Sequence, residues 1–319
     1  MVTTIQAQRQ PEQQTDQSND WALVAEGGGQ RGIFTAGVLD AWLEQNFDPF
    51  SILIGTSAGA QNITSYLARQ KRYAYQAITQ LTADQRFFKF SRAIARSQHL
   101  IDLDWYFQQV AAPDYALDVD AAMQHSEGRQ VYLTATRMPD REPCFMKPDR
   151  KNWLAALKAS SAIPLLYREP VEVNGMGFLD GGLSAPLPVE EAYRRGARKI
   201  VVIRTIDESA ERAAAVWGTR LKNLICVSSR CPKVLDLMSH HEAAYRASMH
   251  FIHNAPRDAE IIQIFPSRAL ESRMLASAPD ALDNDYAMGL EQGYAWHRLL
   301  SKIIEKESGP LAPTRLCSQ

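Results

Sequence analysis

A serine bracketed by small residues, Gly55-Thr56-Ser57-Ala58-Gly59, is the first candidate for chemistry in this chain. An apolar run, Ile52-Leu53-Ile54, leads into it, and Ala60, Ile63 and Leu67 then recur at helical spacing. The pattern predicts strand, sharp turn and helix, with Gly-x-Ser-x-Gly on the turn. A nucleophile at such an elbow sits in strained backbone, and its neighbours must be small so that strand and helix can come close. The turn also sets Ser57 at a helix N-terminus, where free N–H groups favour developing negative charge. A flexible turn without chemistry could use the same residues; the strand before and the helix after favour the nucleophile.

A second stretch, Glu26-Gly27-Gly28-Gly29-Gln30-Arg31-Gly32, follows the apolar run Trp21–Ala25 and precedes a long periodic helix with Ile33, Gly37, Val38, Leu39, Trp42 and Leu43 as its buried positions. Strand, glycine loop and helix N-terminus make an anion site from backbone N–H groups. Gly27, Gly29 and Gly32 satisfy Gly-x-Gly-x-x-Gly, but a dinucleotide site also needs an acidic residue ending the second strand. That strand runs instead into Gly55-Thr56-Ser57. The other reading is an oxyanion hole, in which successive glycine amides aim at charge that appears only in the transition state. Arg31 then either caps a helix start in solvent or pins the loop and assists the oxyanion.

A nucleophilic serine needs a base. One candidate is Asp180, which ends the return strand of a hairpin (Val171–Val173, then Met176–Asp180 after an Asn174-Gly175 turn) and precedes Gly181 and Gly182. Asp-Gly is a favoured turn pair by itself; the functional reading is a carboxylate held at a strand end, with two glycines admitting a neighbouring loop. The other candidates are His240, His241, His250, His253 and His297, but these fall on predicted helices, where surface or core positions suit them. His241-Glu242 begins like a zinc helix, yet Tyr245 stands where the second metal histidine belongs, and no other ligand spacing suggests a metal. A carboxylate base suits esters better than amides, because an alkoxide leaves more easily.

The elements that must position these groups alternate strand and helix through Lys199–Ile203, with a further strand at Gln130–Thr136 and helices at Asn152–Ser161 and Val189–Gly196. That alternation argues for an α/β fold with a mainly parallel sheet covered on both faces. Residues from Lys71 to about Gly128 read as a long helical region. Within it Arg86, Lys89, Arg92 and Arg96 recur at near-helical spacing beside Phe87, Phe90 and Ile94, with no acid between Asp84 and Asp102. Such a face can lie on an anionic lipid surface, although aromatic stripes more often enter a core. Trp105, Tyr106 and Phe107 are candidates for an acyl pocket or for core. Beyond Glu208 the pattern is mostly helical (Ala210–Val227, Val234–His253 and Asp283–Lys306), with one strand from Glu260.

With 319 residues, 45% hydrophobic and 22% charged, the chain reads as globular; its net charge of −1 offers no field for nucleic acid. Four scattered cysteines without a Cys-x-x-Cys pair suit a reducing compartment. The Gln-rich start lacks the apolar core of a signal peptide, and no apolar run approaches a membrane span. The expectation is a cytoplasmic protein, peripheral at a membrane at most. The domains expected are a polar tail (1–20), a catalytic domain (21–207), a mostly helical extension packed on it (208–306) and a loose end (307–319).

Gly27-Gly28-Gly29-Gln30-Arg31-Gly32, Gly55-Thr56-Ser57-Ala58-Gly59 and Asp180-Gly181-Gly182 together resemble the three signature blocks of the patatin-like phospholipases, in order and context. Ser160-Ser161-Ala162-Ile163-Pro164 and Pro186-Leu187-Pro188 add to the resemblance, which covers about Trp21 to Ile203. It implies a three-layer α/β/α sandwich and lipid acyl hydrolase activity from a Ser-Asp dyad, without metal or cofactor. Carried over by position, Ser57 is the nucleophile and Asp180 the base. Gly28, Gly29 and Arg31 shape the oxyanion site, and Gly27 and Gly32 complete the loop. The segment from about Glu208 resembles a helical extension of bacterial members. The substrate expected is a lipid or small ester. An acyltransferase using the same dyad, and a catalytically idle lipid- or nucleotide-binding protein, are the alternatives.

Overall fold

Near-continuous apolar strands such as Trp21–Ala25 and Ile52–Thr56 can be satisfied only in a sheet buried on both faces. The computed structural model has such a sheet, and it describes residues 20–88, 99–167, 169–209 and 232–308. Its strands are β1 (Trp21–Ala25), β2 (Ile52–Thr56), β3 (Gln130–Arg137), β4 (Pro143–Met146), β5 (Val171–Val173), β6 (Met176–Asp180), β7 (Lys199–Ile203) and β8 (Glu260–Ile264). The order is β5-β6-β3-β2-β1-β7-β8, with β4 also paired to β3. Strands β3, β2, β1, β7 and β8 are parallel, whereas β4 and β6 each pair antiparallel with β3, and β5 pairs antiparallel with β6. The sheet is therefore mixed, and β4 is a strand that the sequence pattern did not announce.

Alternate residues of each strand serve opposite layers, as the period of two requires. Leu23, Ala25 and Leu53 face the larger core, with helices α1 (Gly32–Glu44), α2 (Ala58–Leu67) and α6 (Trp153–Ser160). Ala22, Val24 and Ile54 face the other core, with α7 (Val189–Arg194) and α8 (Pro232–His253).

The expected long helical region is broken into α3 (Tyr73–Gln76), a π-helical turn (Ala77–Leu81), α4 (Leu103–Ala111) and α5 (Val119–Gln124). Two aspartates restart the helix. Asp102 accepts from the Trp105 amide at 3.0 Å, and Asp118 from the Ala121 amide at 2.9 Å, each satisfying an orphan donor at an N-terminus. The helix expected at Ala210–Val227 lies outside the described residues, as do Phe90, Ile94 and the two chain ends.

Helix α1 is buried nearly all round because α9 (Pro279–Ser308) covers the side that the sheet does not. The crossing is close: a Cβ on Gly289 would lie 2.2 Å from the Phe34 carbonyl oxygen, and one on Gly37 would lie 2.4 Å from that of Tyr286. Trp42 Nε1 donates to the Gly293 carbonyl at 3.0 Å across the same seam, and Tyr286 donates to buried Asp40 at 2.8 Å. No helix among the described residues is long and apolar enough to cross a membrane.

The seam gives a test with a definite sign. Glycine-to-alanine in a free helix stabilises by roughly 0.5–1 kcal/mol. Gly289→Ala is expected to destabilise instead, by about 1–3 kcal/mol, because backbone must move apart to admit the methyl group. Urea denaturation of the two proteins measures which sign holds.

Candidate active site

Ser57 follows the last residue of β2 and caps α2 with φ 55° and ψ −121°, a backbone that a β-carbon rarely adopts. The elbow is held by contacts that only small neighbours permit. A Cβ on Gly59 would lie 2.2 Å from the Ala25 carbonyl oxygen, and one on Gly55 would lie 2.5 Å from the Ala60 Cα. The Ser57 amide donates to Ser160 Oγ at 2.9 Å, which fixes the turn from α6.

Asp180 reaches the same place from the opposite direction. Leu133 and Thr134 pair with β2 on one edge of β3 and with β4 on the other. Ala135 and Thr136 pair with β4 and with β6. Strands β2 and β6 therefore share one edge and point their C-terminal ends at each other. Thr56 opposes Thr134, and Asp180 opposes the next residue, Ala135. Backbone pairing thus sets the Asp180 carboxyl beside the Ser57 turn.

The Asp180 side chain is buried. Its Oδ1 accepts from the Gly182 amide at 2.7 Å, closing its own turn. Its Oδ2 is enclosed without a hydrogen bond of ordinary geometry, although the Ser57 hydroxyl is near enough to favour the ionised form. Burial pushes the carboxyl up from 3.8 to about 6; the Ser57 hydroxyl, the Gly182 amide and the charge of His241 oppose that rise. In unliganded sites such bonds are often long and tighten on binding.

The glycine loop abuts the serine: a Cβ on Gly27 would lie 3.2 Å from the Ser57 Cβ. Gly29–Arg31 forms a single 3₁₀ turn that leads into α1. Arg31 pins the loop by donating its amide and, at 3.4 Å, its Nε to the Gly28 carbonyl. The Gln30 amide donates to the Met274 carbonyl at 3.0 Å. The Gly28 and Gly29 amides find no acceptor among the described residues.

Several supporting residues escaped the sequence reading. Thr205 donates its hydroxyl to the Gly27 carbonyl at 2.6 Å and its amide to Glu26 Oε2 at 2.7 Å. Arg204, fully buried, donates its Nε to the same carboxylate oxygen at 3.2 Å and its Nη2 to the Tyr245 hydroxyl at 2.7 Å. A signal existed for this pair: Glu26 and Arg204, opposite in charge, each follow an apolar strand, and those strands pair in register at Ala25 and Ile203. His241, one of the helix histidines weighed above as a base, reaches Gly182 from α8, with Nδ1 2.6 Å from the carbonyl oxygen. The other histidines lie elsewhere: His297 packs edge-on against Phe47, and His250 contacts Asn254.

An apolar cleft leads from Ser57. Ile78, Phe87, Leu103, Tyr106 and Leu275 line it, and Gln61 supplies a polar point, held by Tyr106 at 2.5 Å and Ser161 at 3.0 Å. Tyr106 thus faces the cleft, while Trp105 carries the Arg86 guanidinium 4.8 Å above its ring. Arg86 also forks onto Asp84, at 3.0 and 2.7 Å, so its charge is paired. Lys89, Arg92 and Arg96 lie outside the described residues. Among the described residues no cluster of His, Cys, Asp and Glu could hold a metal ion.

Comparison with known proteins agrees with this geometry at the level of family. A family model described as patatin-like phospholipase matches residues 23–193, and a second, described as a domain of unknown function (DUF6363), matches residues 231–303. The uncharacterized protein YjjU of Escherichia coli is 41% identical over 291 residues, covering 91% of this chain and 80% of that protein. Lysophospholipase NTE1 of the yeast Debaryomyces hansenii is 24% identical over 270 residues, 76% of this chain but only 16% of that much longer protein. VipD from Legionella pneumophila, a solved structure, aligns over 88% of this chain and 66% of its own, with 14% identity and a TM-score of 0.44. On the extent of the first match, more than half of the chain, the chain belongs to the patatin-like phospholipase family.

Proposed function

We propose that the protein is a serine acyl hydrolase for lipid or related esters, with Ser57 as nucleophile and Asp180 as its base. The observation that supports this most is the meeting of β2 and β6 end to end on β3, with a buried carboxylate oxygen left open beside the Ser57 turn. The ester carbonyl carbon is attacked by Ser57 Oγ as Asp180 Oδ2 takes the hydroxyl proton. The amides of Gly28 and Gly29 hold the oxyanion, and the cleft takes the acyl chain. As the tetrahedral intermediate collapses, Asp180 returns the proton to the departing alkoxide, leaving an acyl-serine. Water then attacks, gives a proton to Asp180 and releases the acid, and the proton passes back to Ser57. The lysophospholipase names of the yeast relatives agree with a lipid ester as substrate.

Three outcomes are expected. Ser57→Ala should abolish both fluorophosphonate labelling and aryl-ester hydrolysis, and Asp180→Asn should lower kcat by about 10²–10⁴-fold. His241→Ala should cost less than about tenfold, because its ring reaches the turn rather than the serine. A wild type that neither labels nor hydrolyses would favour an idle scaffold, and loss of activity in His241→Ala with full activity in Asp180→Asn would replace the dyad by a triad.

The pH dependence has a worked sign. Asp180 acts only when ionised, so kcat/KM should fall with one proton below pH about 6. Its folded pKa exceeds its unfolded value, so the folded state binds more protons between the two. Stability is therefore lost as pH rises through that interval. Asp180→Asn, which carries no charge, is expected to gain on the order of 2–3 kcal/mol over wild type at pH about 8, and the gain should vanish near pH about 4. Thermal denaturation at both pH values measures it; equal differences at the two would contradict the buried charge.

A further inference from the structure

A loop of the C-terminal region lies on the glycine loop. Residues 265–278, between β8 and α9, contain neither helix nor strand. Loops of that length in compact folds usually have a task. Both ends of the tip are fixed. Asp285, fully buried, accepts from the amides of Glu271 at 3.2 Å and Ser272 at 2.8 Å. Ser277 Oγ accepts from the Arg273 amide at 2.9 Å, and Ala276 turns the chain with φ 54°.

Gln30 clasps this tip at two points. Its amide donates to the Met274 carbonyl at 3.0 Å, and its Oε1 accepts from the Ser277 amide at 2.8 Å. Its Nε2 donates to Thr82 Oγ1 at 2.9 Å, tying the clasp to the segment after the π-helical turn. Gly29 makes the approach possible: with φ 59°, it has no β-carbon where one would lie 2.3 Å from the Met274 carbonyl oxygen. A glycine of the candidate oxyanion loop is thus required by the strap as well as by the site.

The anchors are buried: Gln30 is 2% exposed and Asp285 0%. Met274 is 45% exposed, and it lines the cleft from Ser57 together with Leu275. A strap serving only to close the core would bury its largest apolar side chains; this one leaves Met274 at an open cleft.

We propose that the strap, residues 272–278, is the acyl-selecting wall of the site: Met274 and Leu275 contact the acyl chain of the bound ester, and Gln30 fixes them against the serine. The proposal rests on the acyl hydrolase reading above. It gives the C-terminal region, which matches a family model of unknown function, a part in choosing substrate.

The experiment compares kcat/KM for aryl esters from acetyl to dodecanoyl in the wild type, Leu275→Trp and Met274→Ala, with Ser57→Ala as blank. Leu275→Trp fills the cleft and should lower the dodecanoyl-to-acetyl ratio about tenfold or more. Met274→Ala widens it and should move the preference toward longer chains. Labelling rates with short- and long-alkyl fluorophosphonates should diverge in the same sense, without need for turnover. Profiles of both variants that superimpose on the wild type overturn the strap and leave the Ser57 chemistry standing. A wild type with no Ser57-dependent hydrolysis or labelling overturns both. If Leu275→Trp does not fold, the profile of Met274→Ala decides.

Discussion

Two strand ends meeting on one edge of β3 is the constraint on which the rest of the structure depends. Strand β2 stops at Thr56 and β6 stops at Asp180, opposite neighbouring residues of β3. The chain must leave that edge abruptly on both sides. One exit is the strained elbow at Ser57, and the other is the turn closed by Gly182 on Asp180. A hydroxyl and a carboxyl distant in sequence are brought together by backbone pairing, whose positional error is far smaller than that of two free side chains. The antiparallel pairing of β6 with β3, on the same edge as parallel β2, is what makes this possible. A further parallel strand would point its end the same way as β2 and could not meet it.

The same arrangement carries a cost. Asp180 loses its water, and a single amide at Oδ1 replaces only part of it, so the ionised form is held at a disadvantage. That disadvantage is what lifts the carboxyl above its ordinary range.

The glycine loop is gripped from two sides. Glu26, Arg204 and Thr205 hold its start through strands β1 and β7, and the strap holds its end through Gln30. Arg204 is linked onward to Tyr245 on α8 and to Gln263 on β8. The C-terminal region thus extends the sheet, seals α1 and touches both halves of the candidate site. Its strand β8 is part of the same sheet that carries the candidate site.

Local pattern made much of this legible. The strands β1, β2 and β7 are short apolar runs bounded by glycine or charge, and the elbow, the glycine loop and the Asp180 turn are each written in consecutive residues. Ser57, Gly28 and Gly29 could be chosen because each sits in backbone that few residue types adopt, and Asp180 because it ends a strand just before two glycines. What sequence left open was settled by partners distant in the chain. The region from Lys71 kept a helical pattern although Asp102 and Asp118 interrupt it, since a capping aspartate looks like any surface acid until its amide partner is known. Strand β4 gave no signal because its side chains are only partly buried, which removes the alternation that marks a strand. His241 and Met274 lie on elements whose own patterns concern only helix and loop. Sequence by itself determined which residues could form an elbow, an amide cradle and a carboxylate turn. Tertiary structure alone decided that they meet, and that a C-terminal strap lies on them, because those contacts depend on strand register and helix docking between residues far apart in the chain, which no local pattern encodes.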